Sequence, residues 1–335
     1  MNMNGFRYKI TNLSFILAVL IVIRHSSGIG IYNLPDWLYY GELFVQQATD
    51  LVVPVFFAIS GFLFFNKLTG VRDWYEKIKR RFKSLFVPYV IWCLIGYLFV
   101  LAIVNIPQIA NKTNFELPQF EIWGFLYDTF WDTKYNITWF IRDLMIYMLF
   151  FSPVFVVVSK KKSWQLGGVV LLLLLGYYLN DTTILYSVPF FFGALMSVAF
   201  NKRVQQRFSF FLVCLSGFLL LITIVFSTVL NLPQGAIMIG LRLIQIPLVW
   251  IFADGLAMKT KTKWWLNLSF FIYVAHHMLL ESVEKCFLVA LGNTTFGASI
   301  DLIFAPIITV LILVCFAKIL IRFTPNVWGI LNGGR

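Results

Sequence analysis

Charged residues are scarce in this 335-residue chain: only 13% of its residues are charged, and Asp and Glu together number 15. Apolar residues make up 60% of the sequence, and its mean hydropathy is +0.82. A soluble domain of this length needs a polar surface around its core, and so few charges cannot supply one. The scarcity of charge argues against an ordinary soluble protein and favours a protein embedded in lipid.

Cysteine is scarce as well, and its four residues form no C-x-x-C pair. They lie mostly in apolar runs, as small core residues do: Cys93, Cys214, Cys286 and Cys315. The sequence therefore predicts neither a disulfide framework nor a metal site.

Long apolar runs are abundant instead. They approach the roughly 17–25 residues that cross a hydrocarbon core about 30 Å thick. They occur near 11–30, 50–66, 84–105, 137–158, 166–180, 184–200, 208–230, 235–257, 266–283 and 299–321. We find no linker, second domain or internal repeat. The sequence predicts an all-α, polytopic integral membrane helix bundle of about ten transmembrane helices, formed by one domain over residues 1–335.

The basic residues concentrate in alternate connecting segments. Of the 27 Lys and Arg residues, 21 fall in 1–10, 67–83, 159–165, 201–207, 259–265 and 318–335. Because cytoplasmic loops carry an excess of Lys and Arg, this asymmetry predicts that both ends of the chain face the cytoplasm. Topology accounts for the net charge of +12, and we expect no nucleic-acid partner.

Histidine occurs three times, and each histidine falls in a predicted span: His25 in the first, His276 and His277 in the ninth. Ionisable groups inside a membrane are costly and are functional candidates by default. Imidazole can take or give a proton near neutral pH, although a membrane histidine can also serve as a hydrogen-bond donor between helices.

Helical spacing adds partners to the ninth-span histidines. His277 and Glu281 are four residues apart, so they share a helix face and the carboxylate could orient the ring. Tyr273 precedes His276 by three residues and could share its face. Arg24 neighbours His25 in sequence but points roughly 100° away from it.

A cytoplasmic basic run, KIKRRFKS at 77–84, leads into the third predicted span. It places five bases in seven residues: Lys77, Lys79, Arg80, Arg81 and Lys83. One interpretation is a patch for anionic lipid. Another is a site for a phosphate-bearing ligand, because guanidinium groups match phosphate oxygens with two donors. Charge alone does not separate the two.

Six phrases follow one another in a characteristic order. They are NLSFILAVLIVIRHSS (12–27), VPVFFAISGFLFF (53–65), RRFKSLFVPYVIW (80–92), TWFIRDLMIYMLFFSP (138–153), VPFFFGALMS (188–197) and LSFFIYVAHHML (268–279). In this order they resemble the membrane-bound acyltransferase 3 family, whose members move acyl groups, usually acetyl, onto sugars of surface glycans and related acceptors. The resemblance runs along most of the chain.

The resemblance implies an O-acyltransferase that uses acyl-CoA, acetyl-CoA above all, as its co-substrate and no metal. The CoA phosphates would lie near Arg80, Arg81 and Lys83 on the cytoplasmic side. His25 would act as general base on an acceptor hydroxyl, or as a nucleophile that carries the acyl group.

The same resemblance suggests the remaining site residues. Arg142 and His276 are candidates for stabilising the oxyanion, and Trp139, His277 and Glu281 for contacting the acceptor. The acceptor would be a cell-surface glycan or a lipid-linked sugar. The protein would be a multi-pass protein of a bacterial cytoplasmic (inner) membrane, in contact with membrane lipids.

One departure leaves alternatives open. Many family members have Arg eleven residues before the first-helix histidine, where this chain has Ser14. A second interpretation is therefore a glycan or lipid transporter or flippase that uses buried His, Arg and Glu residues as a proton relay. A third is an inactive relative that binds a partner in glycan assembly.

Overall fold

The computed structural model describes residues 3–29, 32–106, 120–153, 162–230, 232, 235–256 and 263–334. Within these ranges the protein is almost entirely helical and has no β-strand, only an isolated bridge between Ile29 and Tyr32. The predicted all-α class is confirmed.

Fifteen α-helices occur in the described ranges. They are α1 Met3–His25, α2 Asp36–Asp50, α3 Val52–Phe65, α4 Val71–Arg81, α5 Val87–Val104, α6 Ile122–Leu126, α7 Trp139–Ile146, α8 Lys162–Leu179, α9 Thr182–Ala199, α10 Asn201–Val204, α11 Phe210–Val229, α12 Ala236–Leu256, α13 Ser269–Leu291, α14 Thr295–Phe323 and α15 Pro325–Leu331. Three π-helical turns follow α4, α6 and α7, at Phe82–Phe86, Tyr127–Trp131 and Tyr147–Phe151, and a 3₁₀ turn, Trp264–Leu268, precedes α13.

Seven helical segments among the described residues are long and apolar enough to cross a membrane. They are Gly5–His25, Asp36–Phe65, Val71–Val104, Thr182–Ala199, Phe210–Val229, Ala236–Gly255 and Thr295–Phe323. The protein is therefore an integral membrane protein, as predicted.

The other three predicted spans are less clear. The span 166–180 coincides with the shorter apolar helix Leu166–Leu179, and the span 266–283 with α13. The span 137–158 begins with α7 and its π-helical turn, and its last residues lie outside the described ranges. The total of about ten spans and the orientation of the two ends stay predictions.

The first helix begins and ends earlier than the predicted span 11–30, because α1 runs from Met3 to His25. Ser26, Ser27 and Gly28 follow, and such residues favour helix ends over helix interiors. The Ser27 hydroxyl donates to a carboxylate oxygen of Glu42 at 2.5 Å, which ties the chain after α1 to α2.

The helix α2 was not predicted from the sequence. Its polar residues kept it out of the apolar runs, yet Glu42 and Thr49 on its inner side are buried. It begins after Pro35 and meets α3 at Leu51, so the two helices form one long segment with a break before Pro54.

The tightest crossing in the bundle joins α3 to α9. A Cβ atom added to Gly61 would lie 1.9 Å from the carbonyl oxygen of Phe190, and one added to Gly193 would lie 2.0 Å from that of Ala58. Small residues allow such close backbone approach between helices in lipid, where no hydrophobic force drives them together.

A buried ion pair joins α1 to the end of α12. The Lys9 ammonium lies 2.9 Å from a carboxylate oxygen of Asp254 and 4.1 Å from the centre of the Trp250 ring. The backbone amide of Phe208 donates to the other Asp254 oxygen at 2.9 Å. These contacts fix the start of α1 in the bundle.

Three of the four cysteines contradict the prediction that they are core residues. Cys93 is buried, whereas Cys214, Cys286 and Cys315 are exposed. An apolar run does not distinguish the inner face of a membrane helix from its outer face, because lipid is as apolar as the core.

Candidate active site

Three imidazole rings meet where α1 packs against α13. The ring centroid of His25 lies 5.3 Å from that of His276 and 6.0 Å from that of His277. Phe15 contacts Trp265 at an earlier position of both segments, with ring centroids 4.9 Å apart, so α1 and α13 run in the same direction. All three histidines of the chain thus form one histidine cluster (His25, His276 and His277).

The protonation pattern of the His276 ring follows from its hydrogen bond. Its Nδ1 lies 2.6 Å from the carbonyl oxygen of Tyr273, and a carbonyl can only accept, so Nδ1 carries the proton and donates it. The Nε2 atom then has a lone pair. It is buried and has no hydrogen-bond partner among the described residues. The ring therefore offers a proton acceptor inside the bundle.

His277 and Glu281 lie on one face of α13, as their spacing predicted. Nε2 of His277 is 3.7 Å from a carboxylate oxygen of Glu281, and both side chains are about one-third exposed, at 29% and 31%. The second carboxylate oxygen of Glu281 is buried and has no hydrogen-bond partner in the described part of the chain. This oxygen can accept a hydrogen bond from a bound hydroxyl.

Two buried acids that we did not single out from the sequence lie beyond the cluster. Glu284 of α13 lies near Ser26 and near Asp301 of α14. Tyr32, in the connection between α1 and α2, donates to the second oxygen of Asp301 at 3.1 Å. Burial and the neighbouring Asp301 carboxylate raise the pKa of the Tyr32 phenol above its usual value. The sequence signal for Asp301 was a lone acid in an apolar run, whereas Glu284 stands beside the charged residues Glu281 and Lys285.

A cavity of about 280 Å³ lies between α1, α3, α7 and α13. Its lining includes Ser14 of α1, Arg81 at the end of α4, Phe140 of α7 and Tyr273 of α13. We call it the Ser14 cavity. The histidine rings themselves are outside its described lining, but Tyr273 links the two features, since its carbonyl holds His276.

The three basic residues predicted to hold phosphates differ in their surroundings. Arg81 is half-buried and lines the Ser14 cavity, whereas Arg80 and Lys83 are exposed. The Nε atom of Arg80 donates to the backbone carbonyl of Glu76 at 3.2 Å. Only Arg81 of the three is therefore brought to the cavity.

The residues predicted in α7 fall into two environments. The Trp139 ring contacts the Tyr186 ring of α9, with centroids 5.4 Å apart. Arg142 instead binds Asp143, with Nη2 at 2.7 Å from the carboxylate, and donates to the carbonyl oxygen of Trp131. Among the described residues, its polar contacts do not include the histidine cluster.

A second charged group lies on another face of α1. The Nε atom of Arg24 donates to one oxygen of Asp50 at 2.6 Å, and Nη2 of Arg242 lies 4.0 Å from the other oxygen. Arg242 is buried and also donates to the amide oxygen of Gln245 at 2.6 Å. Asp50, which joins the two arginines, was not singled out from the sequence.

In the described part of the chain, no three His, Cys, Asp or Glu side chains are arranged to hold a metal ion. The prediction that the protein uses no metal stays a prediction.

Comparison with known proteins points to one family. Residues 7–321 match the family model described as an acyltransferase domain, that of the acyltransferase 3 family. The succinoglycan biosynthesis protein ExoH of Rhizobium meliloti (strain 1021) is 25% identical in an alignment 334 positions long. The alignment covers 92% of this chain and 85% of that protein. No solved structure matches the chain. Because the match spans nearly its whole length, the protein belongs to the acyltransferase 3 family of membrane acyltransferases.

Proposed function

We propose that this protein transfers an acyl group, acetyl above all, from cytoplasmic acyl-CoA to a hydroxyl of a cell-surface or lipid-linked glycan. The observation that carries the proposal is the histidine cluster. It places proton-accepting rings inside the bundle, one turn from the lining of the Ser14 cavity. Family membership supports acyl transfer, and the relative named for succinoglycan biosynthesis supports a glycan as the acceptor.

The acyl donor enters through the Ser14 cavity in this proposal. Arg81 supplies a guanidinium group in the lining, which suits a phosphate of CoA. Arg80 and Lys83 are exposed nearby in sequence and add attraction for the anionic nucleotide. The apolar part of the lining, which includes Phe140 and the ring of Tyr273, suits the acyl end of the thioester.

The chemistry needs one proton acceptor and one site of charge stabilisation. The acceptor hydroxyl attacks the thioester carbonyl carbon while its proton passes to the His25 ring, so a C–O bond forms and the carbonyl oxygen becomes an oxyanion. When the intermediate collapses, the C–S bond breaks and the CoA thiolate takes the proton from the imidazolium. The products are the acyl ester and free CoA.

The other site residues have supporting roles. His276, with its lone pair on Nε2, holds or relays the proton next to His25. His277 and Glu281 accept or donate hydrogen bonds to the acceptor, and Trp139 forms part of the wall that its sugar ring meets. Arg142 binds Asp143, so it would stabilise the oxyanion only after giving up those contacts. We assign it no part in the proton transfer.

We further propose that the protein crosses the membrane about ten times, with both ends in the cytoplasm, in a bacterial inner membrane. The acyl donor then binds at the end of the bundle where α1 begins. The acceptor binds at the opposite end, beyond His25. This arrangement lets one side supply the thioester and the other the alcohol.

The test is transfer of label from [¹⁴C]acetyl-CoA by the purified protein in nanodiscs to a crude glycan fraction. His25→Asn keeps a hydrogen-bonding group near the position of the imidazole but cannot accept a proton at pH 7. We expect it to lose about 10²–10⁴-fold in rate while it still binds CoA. His25→Ala serves as the companion variant without any polar group.

Other outcomes would replace the proposal. Label transfer that survives in His25→Asn at the wild-type rate removes the assigned base. Movement of unmodified lipid-linked sugar across the bilayer without release of CoA favours a transporter. No binding of CoA at all favours an inactive relative.

A further inference from the structure

Arg24 holds its guanidinium group in a defined orientation at the end of α1. Its contact with Asp50 runs through Nε, at 2.6 Å, and its side chain is 35% exposed. Neither terminal amino group has a hydrogen-bond partner among the described residues. Within the described ranges, the pair of donors that a guanidinium offers to a carboxylate or phosphate is therefore available on Arg24.

Arg242 supports this arrangement from α12. It is fully buried, and its Nη2 lies 4.0 Å from the oxygen of Asp50 that does not bind Arg24. A cavity of about 70 Å³ opens beside them, and its lining includes Asp50, Tyr186 and Arg242. Arg24 is outside the described lining of this cavity and adjoins it through its contact with Asp50. We call Arg24, Asp50, Tyr186 and Arg242 the anion pocket.

The charge of the anion pocket sets the charge of its ligand. The two guanidinium groups and the one carboxylate of the anion pocket together carry one positive charge. A singly charged carboxylate neutralises this charge, whereas a diphosphate would bring more negative charge than the pocket balances. A charge buried without a partner is costly, so the matched ligand is favoured.

The aromatic surroundings favour a sugar as the carrier of the carboxylate. The Tyr186 ring lies 5.4 Å from the Trp139 ring, centroid to centroid, and forms a continuous wall with it. Tyr and Trp rings present an apolar face together with a polar tip, which suits the two-sided character of a sugar ring. The charge of Arg24 acts electrostatically on both the Tyr186 phenol and the His25 ring, so a sugar held here has its other hydroxyls close to the histidine cluster.

We propose that the anion pocket binds the carboxylate of an acidic sugar in the acceptor glycan and thereby positions a neighbouring hydroxyl at His25. The proposal rests on the proposed function, because it names the class of acceptor for that reaction. It does not depend on the identity of the acyl group.

The test measures binding without any acyl donor. Equilibrium dialysis against the protein in nanodiscs compares radiolabelled cellobiouronic acid with cellobiose, which differ by one carboxylate. We expect the wild type to bind the acid about tenfold or more tightly, the range of a hydrogen-bonded charge. Arg24→Gln should bind both disaccharides alike. Arg322→Gln, an exposed arginine at the far end of α14, is the matched control and should keep the preference.

The result distinguishes this inference from the proposed function. The inference is overturned if the wild type and Arg24→Gln prefer the acid equally. It is also overturned if pyrophosphate competes with the radiolabelled acid more strongly than acetate does. If the preference depends on Arg24 but no label is transferred from acetyl-CoA, the anion pocket stands and the proposed reaction does not.

Discussion

The Nδ1 atom of His276 lies 2.6 Å from the carbonyl oxygen of Tyr273, and this contact leaves the Nε2 lone pair of a buried imidazole without a partner in the described part of the chain. The hydrogen bond lies within α13, so it does not join two helices. The arrangement instead resembles the way in which proteins fix the tautomer of a working imidazole through its second nitrogen.

His276→Asn tests this arrangement. The asparagine amide can still donate to the Tyr273 carbonyl, but it has no proton acceptor where Nε2 lies. We expect the fold to persist and the rate of acyl transfer to fall by about 10²–10⁴-fold. Imidazole ¹⁵N chemical shifts of the wild type should report a protonated Nδ1 and a bare Nε2. A protonated Nε2 would contradict the assigned tautomer.

The Ser14 cavity gives a second prediction, which compares two arginines that are neighbours in sequence. Arg81 lines the cavity and is half-buried, whereas Arg80 is exposed and donates to the backbone of Glu76. We expect Arg81→Gln to raise the KM for acyl-CoA about tenfold or more, the range of a hydrogen bond to a charged group. Arg80→Gln should change it by about twofold, because exposed charges act mainly at long range.

Steady-state kinetics at two salt concentrations check this second prediction. The effect of Arg80→Gln should shrink as salt rises, since salt screens exposed charges, whereas that of Arg81→Gln should persist. Equal effects of the two variants at every salt concentration would show that the basic run acts as a general patch, such as one for anionic lipid.

The close crossing of α3 and α9 gives a prediction about stability. Gly61→Ala places a methyl group 1.9 Å from the carbonyl oxygen of Phe190, so the helices must separate. We expect the free energy of unfolding to fall by about 1–3 kcal/mol. Gly168→Ala in α8 is the matched control: nothing lies within 4 Å of its added Cβ.

Titration with SDS in dodecylmaltoside micelles measures both glycine variants. The control should leave stability unchanged or raise it by up to about 1 kcal/mol, because alanine favours a helix interior over glycine. If Gly61→Ala is as stable as Gly168→Ala, the helices do not approach as closely as the structure has them.

The sequence predicted the helices better than it predicted the site. Hydropathy identified the long apolar helices because spanning a bilayer imposes a length and a composition on each one separately. It missed α2, whose buried Glu42 accepts a hydrogen bond from Ser27. A contact of this kind joins residues that are well separated in sequence, so the composition of a single apolar run does not predict it.

The site illustrates the same limit. The three histidines were identified because ionisable groups are rare in predicted spans, and their rarity alone made them candidates. Asp50 was missed because it lies at the edge of an apolar run and its role depends on Arg24 and Arg242 from two other helices. Arg142 was assigned to the site from the resemblance, which did not predict its contact with the neighbouring Asp143.

The buried ion pair of Lys9 and Asp254 gives the last prediction. Lys9→Met leaves the Asp254 carboxylate buried without its cation, and Asp254→Asn leaves the ammonium without its anion. Breaking a buried pair from one side costs about 3–5 kcal/mol, while removing both charges costs much less. The double variant should therefore be more stable than either single variant in the SDS titration. Additive losses in the double variant would mean that the two charges do not interact, and that packing, such as that of Phe6 against Phe62 and Trp250, fixes the start of α1.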